Sequence, residues 1–270
     1  MTDVNPVVGR VLDVMECLLS DVGGRPLGEI GEKIGLPKSA THRMLHALCT
    51  KGWAEQASHT GFYRPSLRLP LLAKRYLEAT GLADIVQPII QRVAEQTREY
   101  VRVAVIVGDG LSWLTSAQGA TSGLIAQGGR GTLPLHAAAS GKAWLATMSN
   151  EEAGRIILAR GFGTASRDLG PKAISDLDQF LAELERTRRR GWGLNDEESE
   201  VGIVTVAAAI RPDHLKRACV GTIGITGPSV RFTAKRAKEV AGVVLVPAAL
   251  ELASMWPESF ALAESSLDQT

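Results

Sequence analysis

Residues 27–48 read LGEIGEKIGLPKSATHRMLHAL, two short helical segments joined by a tight turn. Ile30 and Ile34, four apart, give the first segment an apolar edge, and Gly31 between them is small enough to admit a neighbouring helix. Gly35-Leu36-Pro37 predicts a stop and a restart. Glycine suits the left-handed position after a helix, and proline opens a helix more readily than it continues one. On the second segment, at 100° per residue, Lys38, Ser39, His42, Arg43 and His46 share an arc of about 140°, with Ala40, Met44, Ala47 and Leu48 opposite. One face is left to pack; the other presents two fixed cations, a hydroxyl and two imidazoles. A helix-turn-helix reader of DNA requires that division. Alone, the pattern also fits two amphipathic helices of any small helical domain.

The flanks weigh against the second reading. Val7, Val8, Val11, Leu12, Val14, Met15, Leu18 and Leu19 predict a preceding helix with one apolar side, opposite Arg10, Asp13, Glu16 and Cys17. After the motif, Lys51-Gly52-Trp53 stops the helix and supplies an aromatic anchor. Ala54-Glu55-Gln56, a turn at Ser58-His59-Thr60-Gly61 and Phe62-Tyr63-Arg64 then predict a β-hairpin. Three helices and a hairpin make a winged helix. Lys38, Ser39, Thr41, His42, Arg43 and His46 are expected to enter the major groove, and His59 and Arg64 to set a cationic wing against the phosphates.

The 270 residues, 45% of them hydrophobic, suffice for two domains or one large one with a real core. The formal net charge of +1 conceals an asymmetry: residues 1–75 hold ten Lys/Arg against seven Asp/Glu, a net +3, and the remainder is net −2. This leans toward nucleic acid at the N-terminal end. Cys17, Cys49 and Cys219 are odd in number and lack any C-x-x-C spacing, so neither a disulfide framework nor a thiolate zinc site is encoded. They are expected to act as small apolar residues in a reducing cytoplasm. MTDVNP has neither a basic nor an apolar leader region, and Val240 to Trp256 is interrupted by Pro247 and Glu251. The expectation is a cytoplasmic protein with no signal peptide and no membrane contact.

Four stretches resemble the IclR family of bacterial transcription regulators: RPLGEIGEKIGLPKSATHRMLHALCTKGWAEQ at 25–56, LPLHAAASGKAWLA at 133–146, RRRGWGLNDEESEVG at 188–202 and GTIGITGP at 221–228. They keep the family's order and spacing over nearly the whole chain, with LPKSATHR and PLHAAASGKA the most specific. The resemblance implies an N-terminal winged helix that binds a double-stranded, pseudo-palindromic DNA operator and a C-terminal domain that senses a small molecule. It also implies a homodimer or a dimer of dimers.

Leu67, Leu69, Leu71, Leu72, Tyr76 and Leu77, interleaved with Arg68, Lys74 and Arg75, predict a linking helix whose apolar stripe faces either a partner or its own domain. Beyond Gly81 the pattern becomes α+β: a helix to about Arg98, a strand over Val101 to Val107, a Gly108-Asp109-Gly110 turn and a return strand over Leu111 to Gln118. A glycine-rich loop occupies 119–131. Helices are expected at Ala139–Thr147, Glu151–Arg160 and Ser175–Arg190, strands at Ile203–Ile210 and Ala218–Thr226, and a last helix from an N-cap at Thr233 to Met255. The expected organisation is an α+β chain of two domains. Residues 1–65 form the winged helix-turn-helix, 66–81 the linker helix, 82–258 the effector-binding domain and 259–270 a flexible tail. The resemblance makes the effector-binding domain GAF-like and mixed α/β.

Pro134 to Lys142 enters a helix through small residues, which either expose backbone amides to an anion or merely allow close packing. Ser140-Gly141-Lys142 is no phosphate loop: the earlier glycine is missing and Ala143 stands where Ser or Thr is required. The resemblance implies a carboxylate effector held by the amides of Ala139 and Ser140. Its side-chain positions are Asn195 (Asp in most of the family), Thr205 (often Cys), and Gly224 and Thr226, where two serines are common. Ile125, Leu133 and Ile203 would line the apolar side. Asparagine removes a negative charge and glycine opens volume, so a larger carboxylate, aromatic acids included, is expected.

No cofactor and no metal are expected, since His42 and His46 lack a third ligand nearby. His136 reads as structural, and Arg186 to Arg190 as a solvated helix end with Glu197, Glu198 and Glu200 as neutralising neighbours. Two other functions compete with a ligand-controlled transcription factor. A hydrolase on the C-terminal domain could use Ser140, His136 and Asp196, but no G-x-S-x-G surrounds Ser140. A DNA-architectural protein would need no effector.

Overall fold

The computed structural model describes residues 6–120, 133–162 and 169–258. The chain divides into two compact units, one ending at Ala79 and the other starting at Thr80.

The first unit comprises α1 (Pro6–Leu19), α2 (Leu27–Lys33), α3 (Lys38–Thr50), the strands β1 (Ala54–Gln56) and β2 (Tyr63–Pro65), and α4 (Arg68–Ala79). Gly35 takes a φ of 65°, and the Leu36 N–H donates to the Gly31 carbonyl at 2.9 Å, which closes α2 and starts the turn. A Cβ on Gly31 would lie 3.0 Å from the Leu36 carbonyl and 3.1 Å from the Thr41 hydroxyl, so glycine permits the close approach of α2 and α3. β1 and β2 pair antiparallel with Glu55 opposite Arg64. Val14, Leu18, Ile30, Leu45 and Tyr63 are among the residues that form the core.

The first helix differs from its sequence reading. Only Val14, Cys17 and Leu18 are buried, while Val7, Val8, Leu12 and Leu19 are exposed. The i, i+3, i+4 set of 14, 17 and 18 turns inward, and this puts Cys17 in the core rather than on the polar side. On α3, Ala47 is exposed and Leu45 wholly buried, the reverse of a strict opposite-face reading. Arg68 ties the start of α4 to the hairpin: its guanidinium donates to the Lys51 carbonyl at 2.9 Å and lies 5.1 Å from the Trp53 ring centre. No residue of α4 is buried.

The second unit contains α5 (Leu82–Thr97), β3 (Tyr100–Val107), β4 (Gly110–Gln118), α6 (Ala139–Leu145), α7 (Asn150–Arg160), α8 (Leu177–Arg190), β5 (Gly193–Asp196), β6 (Ile203–Ile210), β7 (Gly221–Pro228), α9 (Ala234–Val240) and α10 (Val246–Met255). The strands form one sheet, ordered β4-β3-β7-β6-β5, and every neighbouring pair is antiparallel. Alternation divides the strand residues between two faces. Val101, Val103, Val204, Val206, Ile223 and Ile225 pack with α5 and α10 in the main core. Tyr100, Arg102, Thr205, Ala207, Gly224 and Thr226 point to the opposite face, the one α6 covers. A second core of Leu135, Trp144, Leu145, Phe180 and Leu184 joins α6 to α7 and α8.

Three elements depart from expectation. β5 carries no sequence signal because Gly-Leu-Asn-Asp has neither length nor apolar alternation. β7 starts at Gly221, later than read, which leaves Cys219 outside it. The last helix, capped by Thr233 as expected, widens into a π turn at Ala241–Leu245 just before Pro247, whose missing N–H interrupts the regular ladder.

Candidate functional site

On α3, Lys38, Ser39, His42, Arg43 and His46 are all exposed, and none is drawn into an ion pair among the described residues. The His42 and His46 rings lie parallel, 6.4 Å apart. Thr41 is the exception. It is wholly buried, and its hydroxyl donates to the Pro37 carbonyl at 3.1 Å, so it belongs to the core and not to a DNA-facing surface. At 300° on the wheel it lies outside the polar arc. In the hairpin His59 is exposed. Arg64 is exposed too, but its Nε donates to Glu55 at 2.6 Å, so it is paired rather than a free wing cation.

In the second unit Ser140, Gly224, Thr205 and Thr226 come together. A Cβ built on Gly224 would stand 3.6 Å from Ser140 Oγ and 3.4 Å from the Val206 carbonyl oxygen, ordinary contact distances, so the position would accept a Cβ without a clash. Thr205 Oγ1 donates to Thr226 Oγ1 at 3.1 Å across β6 and β7. Ala139 and Ser140 begin α6, which has no side-chain cap. Ile203 shares the face of Thr205, and Leu133 packs on the second core. Ile125 lies outside the described residues. The small residues serve close packing as well. Cβ atoms on Gly141 and Gly193 would fall 2.2 Å from the Leu135 carbonyl and 2.3 Å from the Ala139 carbonyl.

Asn195 and Glu198 do other work than the sequence reading gave them. Asn195 is buried beside Thr205, but its Oδ1 accepts from the backbone N–H groups of Glu198 and Ser199, and its Nδ2 donates to Ser199 Oγ at 2.7 Å. It shapes the turn after β5. Glu198 is buried rather than solvated, and it accepts from Lys142 Nζ at 2.5 and 2.6 Å; Nζ also donates to the Leu194 carbonyl. Burial pushes the lysine pKa down and the glutamate pKa up, and the contact between them opposes both shifts. Lys142 was missed because a lysine one turn into a helix normally reads as surface. The arginines of α8 pair within their own helix, Arg186 and Arg190 with Glu183 and Arg188 with Glu185, and not with the 197–200 turn. Burial and the Lys142 charge hold the His136 imidazole below its usual range, and it packs edge-on against Phe162.

The model of the IclR helix-turn-helix domain matches residues 7–58, and that of the bacterial transcriptional regulator IclR C-terminal domain matches residues 74–251. The chain belongs to the IclR family. It is 28% identical to the acetate operon repressor of Salmonella typhimurium, over 92% of this chain and 90% of that one. It is 29% identical to the transcriptional repressor IclR of Escherichia coli, over 90% and 87%. Among solved structures, an IclR regulator from Alicyclobacillus acidocaldarius has a TM-score of 0.80 at 20% identity, covering 96% of this chain and 100% of that one. An IclR homologue from Microbacterium hydrocarbonoxydans, complexed with 4-hydroxybenzoate, has a TM-score of 0.72 at 24% identity, covering 91% and 96%.

Membership makes this IclR-family chain a helix-turn-helix, DNA-binding transcriptional regulator rather than an enzyme. Asp196 faces Lys172, and among the described residues no hydrogen bond joins it to Ser140 or His136. Burial pushes the Cys219 thiol up to about 11, far from a reactive thiolate. Among the described residues no cluster of three His, Cys, Asp or Glu could hold a metal ion, and no helix is long and apolar enough to cross a membrane.

Proposed function

We propose that this chain is a cytoplasmic repressor that binds a pseudo-palindromic operator as a homodimer or dimer of dimers, with DNA binding controlled by a small carboxylate. The winged helix spans 1–65, the linker helix 66–81, the sensor 82–258 and the tail 259–270. The observation that carries the reading is the outward row of Lys38, Ser39, His42, Arg43 and His46 on α3, opposite a core that includes Thr41 and Leu45. Arg43 reads a guanine edge, an interaction of about 1–3 kcal/mol in discrimination, and Lys38 neutralises a phosphate. The sensor's contacts are the amides of Ala139 and Ser140 and the hydroxyls of Thr205 and Thr226, with Gly224 and the apolar Leu133 and Ile203 beside them. A structural relative holding 4-hydroxybenzoate supports an aromatic acid. Footprinting and salt titrations on the operator test the head. Arg43→Ala relaxes base preference at one position of each half-site, and Lys38→Ala lowers the salt slope by about one per head with sequence preference intact. A footprint and slope indifferent to both substitutions would exclude this placement of α3.

A further inference from the structure

Five buried side-chain polar atoms lack a hydrogen-bond partner among the described residues, and four of them belong to the second unit: Arg102 Nε, Gln118 Oε1, Thr222 Oγ1 and His136 Nε2. The strand register puts the first three on one face of the sheet. Arg102 lies opposite Gly224, Tyr100 opposite both Gln118 and Thr226, and Ala104 opposite Thr222. This is the face with Ser140 over Gly224. A buried polar atom without a partner is destabilising, and three gathered on one surface mark a place that something else completes.

Arg102 is the most demanding of them. Its guanidinium carbon lies 3.7 Å from the ring centre of Trp113 and 5.4 Å from that of Tyr100. A bulge puts Trp113 there. Val103 opposes Thr115 but Ala104 opposes Trp113, so Leu114 is the extra residue. The insertion turns Leu114 to the main core and brings Trp113 to the Arg102 face. Burial pushes the guanidinium pKa down; the carboxylate that acts on it is Glu200, which forms no ion pair with it. A guanidinium whose Nε is buried without a partner calls for an anion, and an arginine fork stacked on an indole leaves its N–H edge to take one.

We propose that Arg102 reads the charge of the effector, taking the carboxylate of a hydroxy acid whose hydroxyl donates to Gln118 Oε1. The assignment rests on the reading of this face as the sensor site, and it adds a residue that determines acid over neutral ligand. Ser140 and Arg102 then flank Gly224 from the helix side and the strand side.

Calorimetric titration of the full chain with 4-hydroxybenzoate, lactate and pyruvate, and with the amides of the first two, separates the two claims. Wild-type protein binds a hydroxy acid more tightly than pyruvate and than its own amide. In Arg102→Gln the ratio of acid to amide affinity falls about tenfold to a hundredfold, and Arg102→Lys recovers part of it. Equal losses for acid and amide, or none, would overturn the Arg102 assignment and leave the sensor reading standing. Wild-type protein that bound none of the three acids would sink both. Should Arg102→Gln fail to fold, Arg102→Lys carries the test alone: the charge without the fork binds the acid several-fold more weakly, and an unchanged ratio overturns the proposal.

Discussion

Lys142 is 1% exposed and holds its charge between Glu198 and the Leu194 carbonyl, so one long side chain joins α6 to the turn that follows β5. Removing one partner of such a pair leaves the other buried and uncompensated, at a cost of about 3–5 kcal/mol. Lys142→Met is therefore expected to lower the denaturation midpoint sharply, and Glu198→Gln less, because a neutral amide still accepts from the ammonium. The double variant Lys142→Met/Glu198→Leu regains much of the loss, since two apolar groups replace two charges. Chemical denaturation of the four proteins measures this, and strictly additive losses would show that the pair is not coupled. At this scale the sequence was only partly informative. The polar arc of α3 was legible from spacing alone. The burial of Lys142 and Glu198, and of the Arg102 Nε, was not, because it depends on which strands become neighbours across long stretches of chain.

Of the helix caps the sequence reading names only Thr233; the others emerge in the structure. Ser149 with Glu152 forms a capping box for α7, and Asp176 and Thr233 accept from the backbone N–H groups of Gln179 and Arg236. The close packing of α6 comes from glycine instead. A Cβ at Gly141 would meet the backbone of Leu135 at 2.2 to 2.7 Å, and backbone cannot yield as a flexible side chain can. Gly141→Ala is expected to destabilise the second unit by about 1–3 kcal/mol. Gly242→Ala is its control: nothing lies within 4 Å of that Cβ, and alanine in a helix gains about 0.5–1 kcal/mol over glycine. Thermal melts of the two variants should move in opposite directions; a Gly141→Ala protein as stable as its parent would show that α6 can shift away from the loop before it. β5 was illegible for a converse reason. Its four residues become a strand only because β6 offers them an edge.

At the scale of the whole molecule, the proposed pairing with a second copy of the chain needs a surface to carry it. Leu67 and, on α4, Leu71, Leu72 and Tyr76 are between 41% and 75% exposed, and α1 leaves Val8 and Leu12 at 52% and 56%. Leu69 and Leu77 of α4 are half-buried but no α4 residue is wholly buried, so most of the stripe is left for a partner. Exposed apolar stripes on two helices of the DNA-binding unit suit a two-fold interface, in which the same patch meets itself. Pairing two such units also doubles a net charge that is only +3 per chain over residues 1–75, a modest value for a lone DNA-binding domain. Leu71→Glu/Leu72→Glu is expected to shift the sedimentation coefficient toward the monomer, or from a dimer of dimers toward the dimer. If the heads pair through α4, the same variant holds a single half-site, so the slope of log affinity against log salt falls to about half the wild-type value while Arg43-dependent base preference persists. A variant that sediments and titrates as wild type does would place the dimer contacts elsewhere and leave the α4 stripe to some other partner.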